Sequence, residues 1–257
     1  MDIYQHFRKE EHAFIDQVLS WREEVGRSYR PKLSDFLDPR EQKIYEAVIG
    51  KDDDFQLGFF GGNNNSERKR AILAPFYEEI NEADFNITLL ESSYPVKFVN
   101  LEHRDVLGAF MSTGIKRKKL GDLLVQDGII QIIVSSEIEP YVKMNLTAIK
   151  KATVAFEEKP FTSLLRSNEK WESNRVTASS LRLDALIKEI YNLSRQNAAV
   201  FIQKGLVKVN FRTVEQPAFQ LETDDLISLR GKGRSKIKEI HGLSKKEKWK
   251  ITVQKLK

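Results

Sequence analysis

The residues with the most legible chemistry are a run of cations interleaved with turn and capping residues: Arg182, Ser194, Arg195, Lys204, Lys208, Arg212, Arg230, Lys232 and Arg234. Guanidinium forks and lysine ammonium groups bind phosphate oxygens, the first bidentately and the second as point charges. Ser194 is placed to cap a helix whose opening N–H groups have no partner within the helix. With Arg195 beside them, those donors would form a phosphate cradle. Gly231 and Gly233 separate Arg230, Lys232 and Arg234, letting the backbone come close to a ligand. No partnered acid or histidine is evident for Asp184, so pairing with a neighbouring base or orienting Arg182 is the expected role. A second cationic run, Lys116-Arg117-Lys118-Lys119, follows Gly114. Its composition fits a phosphate contact and a solvated loop equally well.

Other chemistries find little support. The 257 residues include no cysteine, which removes disulfides, thiol nucleophiles, iron–sulfur ligation and cysteine-based zinc sites. The four histidines, His6, His12, His103 and His241, are scattered and show no metal-ligand spacing. No metal and no cofactor is therefore expected. His103-Arg104-Asp105 superficially matches a kinase catalytic loop, but Phe110 stands where that loop needs asparagine, and the nucleotide and metal motifs are missing. Helix opening or ion-pair duty is the expected role of this triplet, ahead of an RNA contact. Gly61-Gly62-Asn63-Asn64-Asn65 lacks the Lys-Ser/Thr of a nucleotide loop and reads as a turn. No segment approaches the roughly 18 apolar residues of a membrane span, and the charged start has no apolar signal core. A cytoplasmic protein without membrane contact is expected.

Charge is divided unevenly. Residues 1–179 hold 25 Lys and Arg against 29 Asp and Glu, a net of −4, whereas residues 180–257 hold 17 against 8, a net of +9. A compact basic segment beside a mildly acidic body is the electrostatic footprint of nucleic-acid binding.

These side chains need elements to hold them, and the hydrophobic pattern predicts an α+β protein. Phe14, Val18, Trp21 and Val25 mark a first helix, extended backward by Ile3 and Phe7 and ended by Gly26. Asp38 as cap, Pro39 in the first turn and Glu41 three residues after the cap open a second helix, closed by Gly50. Two strands, Phe55 to Phe60 and Arg70 to Leu73, complete a small α/β domain over residues 1–74. In residues 75–160, a strand at Phe85 to Leu90, with Val96 to Val99 as its candidate partner, precedes a helix from His103 to Thr113. A hairpin of Asp122 to Val125 and Ile129 to Val134 turns at Asp127-Gly128; a helix from Pro140 to Lys150 and a strand from Thr153 to Phe156 follow. The order β-α-β-β-α-β predicts a ferredoxin-like, RRM-like unit. Its strand Ile129 to Val134 is aliphatic and lacks the aromatics that stack bases, which argues against RNA binding on that sheet. Polar residues 161–179 read as a linker that Phe161, Leu164, Leu165 and Trp171 could dock. In residues 180–257, a helix through Leu183, Leu186, Ile187, Ile190 and Tyr191 packs on one from Arg195 to Lys204, ahead of paired strands Leu206 to Val209 and Leu226 to Leu229.

Arg182-Leu183-Asp184, Ser194-Arg195, Lys204-Gly205-Leu206-Val207-Lys208-Val209-Asn210 and Asp225-Leu226-Ile227-Ser228-Leu229-Arg230-Gly231 resemble the S4-like RNA-binding domain. That resemblance implies structured-RNA contacts by Arg182, Ser194, Arg195, Lys204, Lys208 and Arg230. Two departures are visible: Asn210-Phe211 stands where that domain commonly has Asn-Gly, and Asp224-Asp225 where it has Gly-Asp. Phe36-Leu37-Asp38-Pro39-Arg40-Glu41, Phe60-Gly61-Gly62, Glu67-Arg68, His103-Arg104-Asp105-Val106-Leu107-Gly108 and Lys119-Leu120-Gly121-Asp122 extend the resemblance over nearly the whole chain, to the bacterial YlmH family. Membership implies a non-catalytic RNA-binding protein associated with the ribosome, near the large subunit, rRNA and tRNA, and a role in handling stalled nascent-chain complexes. Two alternatives stand beside it. One is a pseudouridine-synthase type of RNA-modifying enzyme, for which no acidic nucleophile domain is evident; the other is a ribosomal or cell-division adaptor whose N-terminal body meets a protein partner.

Overall fold

The computed structural model describes residues 3–166 and 170–257. Chain contacts divide it into two compact units, Met1–Ser167 and Asn168–Lys257. The stretches 1–74 and 75–160, read from the sequence as separate domains, are packed together in the first.

That unit begins with helix α1 (His12–Ser28), strand β1 (Lys32–Leu33), helix α2 (Pro39–Ile49) and strands β2 (Phe55–Phe60) and β3 (Arg70–Pro75), the strands forming an antiparallel sheet in the order β1-β3-β2. Phe14, Val18 and Val25 of α1 are buried against Ile44, Tyr45 and Val48 of α2 and Leu73 of β3. Two short 3-10 turns, Ile3–His6 and Lys9–Glu11, replace the expected backward extension of α1, although Ile3 and Phe7 still reach this core. Gly26 does not end α1. The helix runs on to Ser28 and closes at Tyr29, whose φ of 55° is left-handed and whose N–H donates to the Val25 carbonyl. Gly26 instead makes room, because a Cβ there would lie 3.3 Å from the Phe55 ring. Helix α2 has the predicted cap: Asp38 Oδ1 accepts from the N–H groups of Arg40 and Glu41, and Glu41 returns a bond to the Asp38 N–H.

The same unit continues through β4 (Ile87–Ser93), α3 (His103–Ser112), β5 (Leu120–Gln126), β6 (Ile129–Ser135), α4 (Glu139–Asn145), the small hairpin β7 (Ala148–Ile149) and β8 (Ala152–Thr153), and β9 (Glu157–Lys159). Its four-stranded sheet has the order β5-β6-β4-β9 and is antiparallel throughout. The sequence misplaced three pieces. Val96 to Val99 is a turn in which the N–H groups of Phe98 and Val99 both donate to the Pro95 carbonyl. Helix α4 stops at Asn145, well short of Lys150. The closing strand is β9 rather than Thr153 to Phe156, because Val154 and Phe156 are used in the core and the pairing falls on the charged Glu157, Glu158 and Lys159. Charged side chains on an edge strand discourage further strand addition.

Both faces of that sheet are covered, which explains its aliphatic central strand. Val106, Phe110 and Val142 of the two helices pack on one face with Ile130 and Ile132. Phe36, with Phe161 and Leu164 against it, packs on Leu89 and Ile133. The joint to the N-terminal elements is tight. A Cβ at Gly121 would lie 2.6 Å from the Phe36 ring, and one at Gly61 2.3 Å from the Arg68 carbonyl oxygen. The Asp122 carboxylate accepts the N–H groups of Glu67 at 2.7 Å and Arg68 at 2.9 Å, while Arg68 donates to the Phe36 carbonyl at 2.8 Å. Burial raises the Asp122 pKa against the pull of those two donors.

The second unit holds β10 (Trp171–Ala178), α5 (Leu183–Tyr191), α6 (Arg195–Gln203), β11 (Val207–Val209), β12 (Arg212–Thr213), β13 (Leu226–Leu229), β14 (Gly233–Leu243) and β15 (Trp249–Leu256). These strands form one sheet, ordered β10-β15-β14-β13-β11-β12. Leu183, Leu186 and Ile187 of α5 and Ala198 and Ile202 of α6 share a core with Val207, Ile227, Ile237 and Ile251. The stretch 161–179 is not a linker throughout. Phe161 packs edge-on against Phe60 in the first unit, and Trp171–Ala178 is a full strand of the second. Ser167 and Asn168, read as part of that linker, lie outside the described residues.

Candidate RNA interface

Helices α5 and α6 position two of the predicted arginines through one buried acid. Asp184 lies in the first turn of α5, is 3 % exposed, and takes both bonds of the Arg182 fork at 3.0 Å and the Arg195 Nε at 3.2 Å. Burial alone would raise the Asp184 carboxyl, but the bonds and charges of Arg182 and Arg195 hold it below the ordinary carboxylate range. Asp184 is thus an orienting group. It fixes two guanidinium groups that remain partly open to solvent, at 36 % and 58 % side-chain exposure. Ser194 caps α6 by accepting the Asn197 N–H at 3.1 Å, so the serine itself occupies one donor of the anticipated cradle. Gly205, with φ of 66°, lies just beyond the Lys204 cap of α6.

The sheet gathers a second group. Lys208 on β11 is opposite Ser228 on β13, which is opposite Arg234 on β14. Residues directly opposite in a ladder point to the same face, so Lys208, Ser228 and Arg234 form a row across three strands. The alternate row, Val209, Ile227 and Ser235, is buried. Arg230 and Lys232 are exposed in the turn between β13 and β14, where Gly231 has φ of 78° and Gly233 φ of 94°. Lys204 and Arg212 are exposed at the end of α6 and on β12.

The run Lys116 to Lys119 is mostly engaged within the molecule. Arg117 turns inward to the carbonyls of Leu120 and Gly121, and burial, with the nearby Arg68 charge, lowers its pKa to about 10. Lys118 and Lys119 both pair with Asp35, at 2.7 and 2.6 Å, and Lys119 also meets Glu137. Lys116 is exposed. The His103-Arg104-Asp105 triplet opens α3: Asp105 accepts the Glu102 N–H at 2.9 Å and pairs with Lys150 at 2.6 Å, while Arg104 pairs with Glu102.

The two departures from the S4-like pattern keep the backbone that glycine would supply. Asn210 and Phe211, with φ of 48° and 66°, form the turn between β11 and β12, and Asp224 has φ of 71°. Asn210 donates to Asp225 at 2.7 Å and accepts the Leu226 N–H at 2.9 Å, which pins the turn to β13. The sequence marked Phe211 only as a departure from Asn-Gly; the structure places its ring 5.8 Å from the Arg234 guanidinium carbon.

A family model described as "Putative RNA-binding domain in YlmH" matches residues 81–163, and one described as "S4 domain" matches residues 181–227. The chain is 44 % identical, over 256 residues covering 100 % of it and 99 % of the relative, to "Ribosome-associated protein quality control protein P2" of Bacillus subtilis (strain 168). It belongs to the YlmH family of RNA-binding proteins with an S4 domain. A solved structure, "Cell division protein ylmH from Streptococcus pneumoniae", is 33 % identical to this YlmH-family chain, covering 64 % of it and 99 % of that chain with a TM-score of 0.56. Both family models describe RNA-binding or S4 domains, and it is the Bacillus subtilis relative that is named as ribosome-associated. The S4 match ends at residue 227, so β14, β15 and β10 lie outside the matched segment while sharing its sheet. No helix among the described residues is long and apolar enough to cross a membrane.

Proposed function

We propose that this YlmH-family protein binds structured RNA without catalysis, on ribosomal RNA or tRNA at the large ribosomal subunit, and acts in the cytoplasm in rescuing stalled nascent chains. The observation that carries this reading is the pair of guanidinium groups, Arg182 and Arg195, fixed by the buried Asp184. Preorganised forks on a rigid helix pair suit phosphate oxygens, because little freedom remains to be lost on binding. Lys204, Lys208, Arg212, Arg230, Lys232 and Arg234 extend the contact, Ser194 serves it by holding the start of α6, and Lys116 is the one member of its basic run assigned a secondary contact.

In this reading residues 180–257 are the RNA-binding module. The central β-α-β-β-α-β stretch is a ferredoxin-like unit whose last strand lies beside its first, and whose buried sheet leaves RNA to other surfaces. The relative named for ribosome-associated quality control supports the ribosomal setting.

Cosedimentation of the full chain with purified bacterial 70S ribosomes over a salt series tests the proposal. Reversing Arg195 and Lys208 to glutamate should weaken binding sharply and flatten its salt dependence, since each lost phosphate contact removes about 0.7–0.9 from the logarithmic slope. A folded double variant that binds as the wild type does would refute this contact map. RNA crosslinks mapped on the same ribosomes would distinguish large-subunit, small-subunit and tRNA contacts.

A further inference from the structure

Phe211 occupies a backbone conformation that its side chain makes unfavourable. In the two-residue turn between β11 and β12, both central residues have positive φ, 48° at Asn210 and 66° at Phe211. Asparagine tolerates this region, whereas a bulky residue there is a true outlier that the surroundings must hold in place. The turn does not need the ring for that. Asn210 alone ties it to Asp225 and Leu226 through both ends of its amide. The core does not use the ring either, since the buried cluster of the unit takes Val207 and Val209 from this hairpin and Val214 just beyond it, but not Phe211. What the ring does meet is a cation: the Arg234 guanidinium carbon lies 5.8 Å from its centroid. Arg234 belongs to the row with Ser228 and Lys208, so the half-buried ring lies at the edge of a cationic strip.

An aromatic face beside phosphate-binding cations is the arrangement with which proteins hold unpaired nucleotides. The ring stacks on the base while the cations hold the backbone. Strain kept at a position where glycine would be at ease points to a use outside the folded core. We infer that Phe211 is a stacking platform for an unpaired base of the bound RNA, with Arg234 bracing the ring and Lys208 holding an adjacent phosphate. This inference rests on the RNA-binding reading given above and adds to it a ligand class, a nucleotide displayed outside a helix.

The test uses the full chain, purified bacterial 70S ribosomes and three variants: Phe211→Gly, Phe211→Trp and Lys208→Glu. Phe211→Gly relieves the turn, so thermal unfolding should show it at least as stable as the wild type. Its ribosome affinity should fall about 5- to 150-fold, the range for losing one base stack, with an unchanged slope against salt because no phosphate contact is lost. Lys208→Glu should flatten that slope. Phe211→Trp should retain affinity, and its added indole fluorescence should change on binding. Wild-type affinity in Phe211→Gly would overturn the platform alone. So would a loss accompanied by a flatter salt slope, which would make the ring merely a support for Arg234. Failure of the wild type itself to bind ribosomes would overturn the RNA reading and the platform with it.

Discussion

Replacing Asp38 by asparagine separates the charge of a buried helix cap from its hydrogen bonds. Asp38 is 7 % exposed, and its Oδ1 accepts the N–H groups of Arg40 and Glu41, each at 2.9 Å. Burial, reinforced by the Glu41 carboxylate, pushes its pKa from an ordinary 3.8 up to about 6. The folded chain therefore binds this proton more tightly than the unfolded chain does. That contribution to stability is complete below about pH 4 and is lost as the pH rises through about 6. A shift of about two units corresponds to about 3 kcal/mol by neutral pH. Asparagine presents the same acceptor oxygen, ranks with aspartate as a cap and carries no charge. Asp38→Asn should accordingly be more stable than the wild type by up to about 3 kcal/mol at pH 7, with the gain shrinking toward zero at pH 4. Asp38→Ala, which also forfeits the cap, should fall below Asp38→Asn by about 1 kcal/mol at every pH. Urea unfolding followed by circular dichroism at pH 4, 5, 6 and 7 measures these differences. An asparagine variant less stable than the wild type at pH 7, or a difference that does not change with pH, would refute the reasoning.

Asp184→Ala should destabilise the second unit by about 1–3 kcal/mol, the range for losing charge-assisted bonds, and should weaken ribosome binding even though it makes the chain more positive. Because the folded Asp184 pKa is lowered, its contribution is present above the ordinary carboxylate pKa and lost as the pH falls. The difference between the two proteins should therefore narrow under acid, which urea titrations near pH 3 and pH 7 can check. Gly121→Ala, with its new methyl 2.6 Å from the Phe36 ring, should cost about 1–3 kcal/mol by overpacking. Thermal unfolding reads that loss, and Phe36→Leu in the same background should recover part of it.

The clearest sequence signals were local ones. Asp38, Pro39 and Glu41 specify the start of α2 by backbone chemistry within a single turn, and the structure has that capping box. The apolar face through Leu183, Leu186 and Ile187 likewise specified α5. Strand β10 was hidden because Glu172 to Arg175 are polar and exposed, so no alternation marks them, and its partner lies far along the chain. The pairing of Lys118 and Lys119 with Asp35 depends on an acid some eighty positions earlier, which no local pattern reveals. At the candidate site, the cations were legible as chemistry. Their grouping was not: Asp184 was named as a partner for Arg182, but only the packing of α5 against α6 brings Arg195 to the same carboxylate. The motif residues Gly121 and Asp122 proved to join β5 to the N-terminal elements, at Phe36, Glu67 and Arg68.

The ladder between β10 and β15 joins Trp171 to Leu256 and Ala178 to Trp249, the beginning of the second unit to its end. Such a sheet has a built-in order of events. Helices α5 and α6 and the short hairpins can form from neighbouring residues, whereas β10 must wait for a partner that begins about seventy residues later. During synthesis β10 leaves the ribosome unpaired, with its backbone donors and acceptors open, and is covered only when β15 emerges.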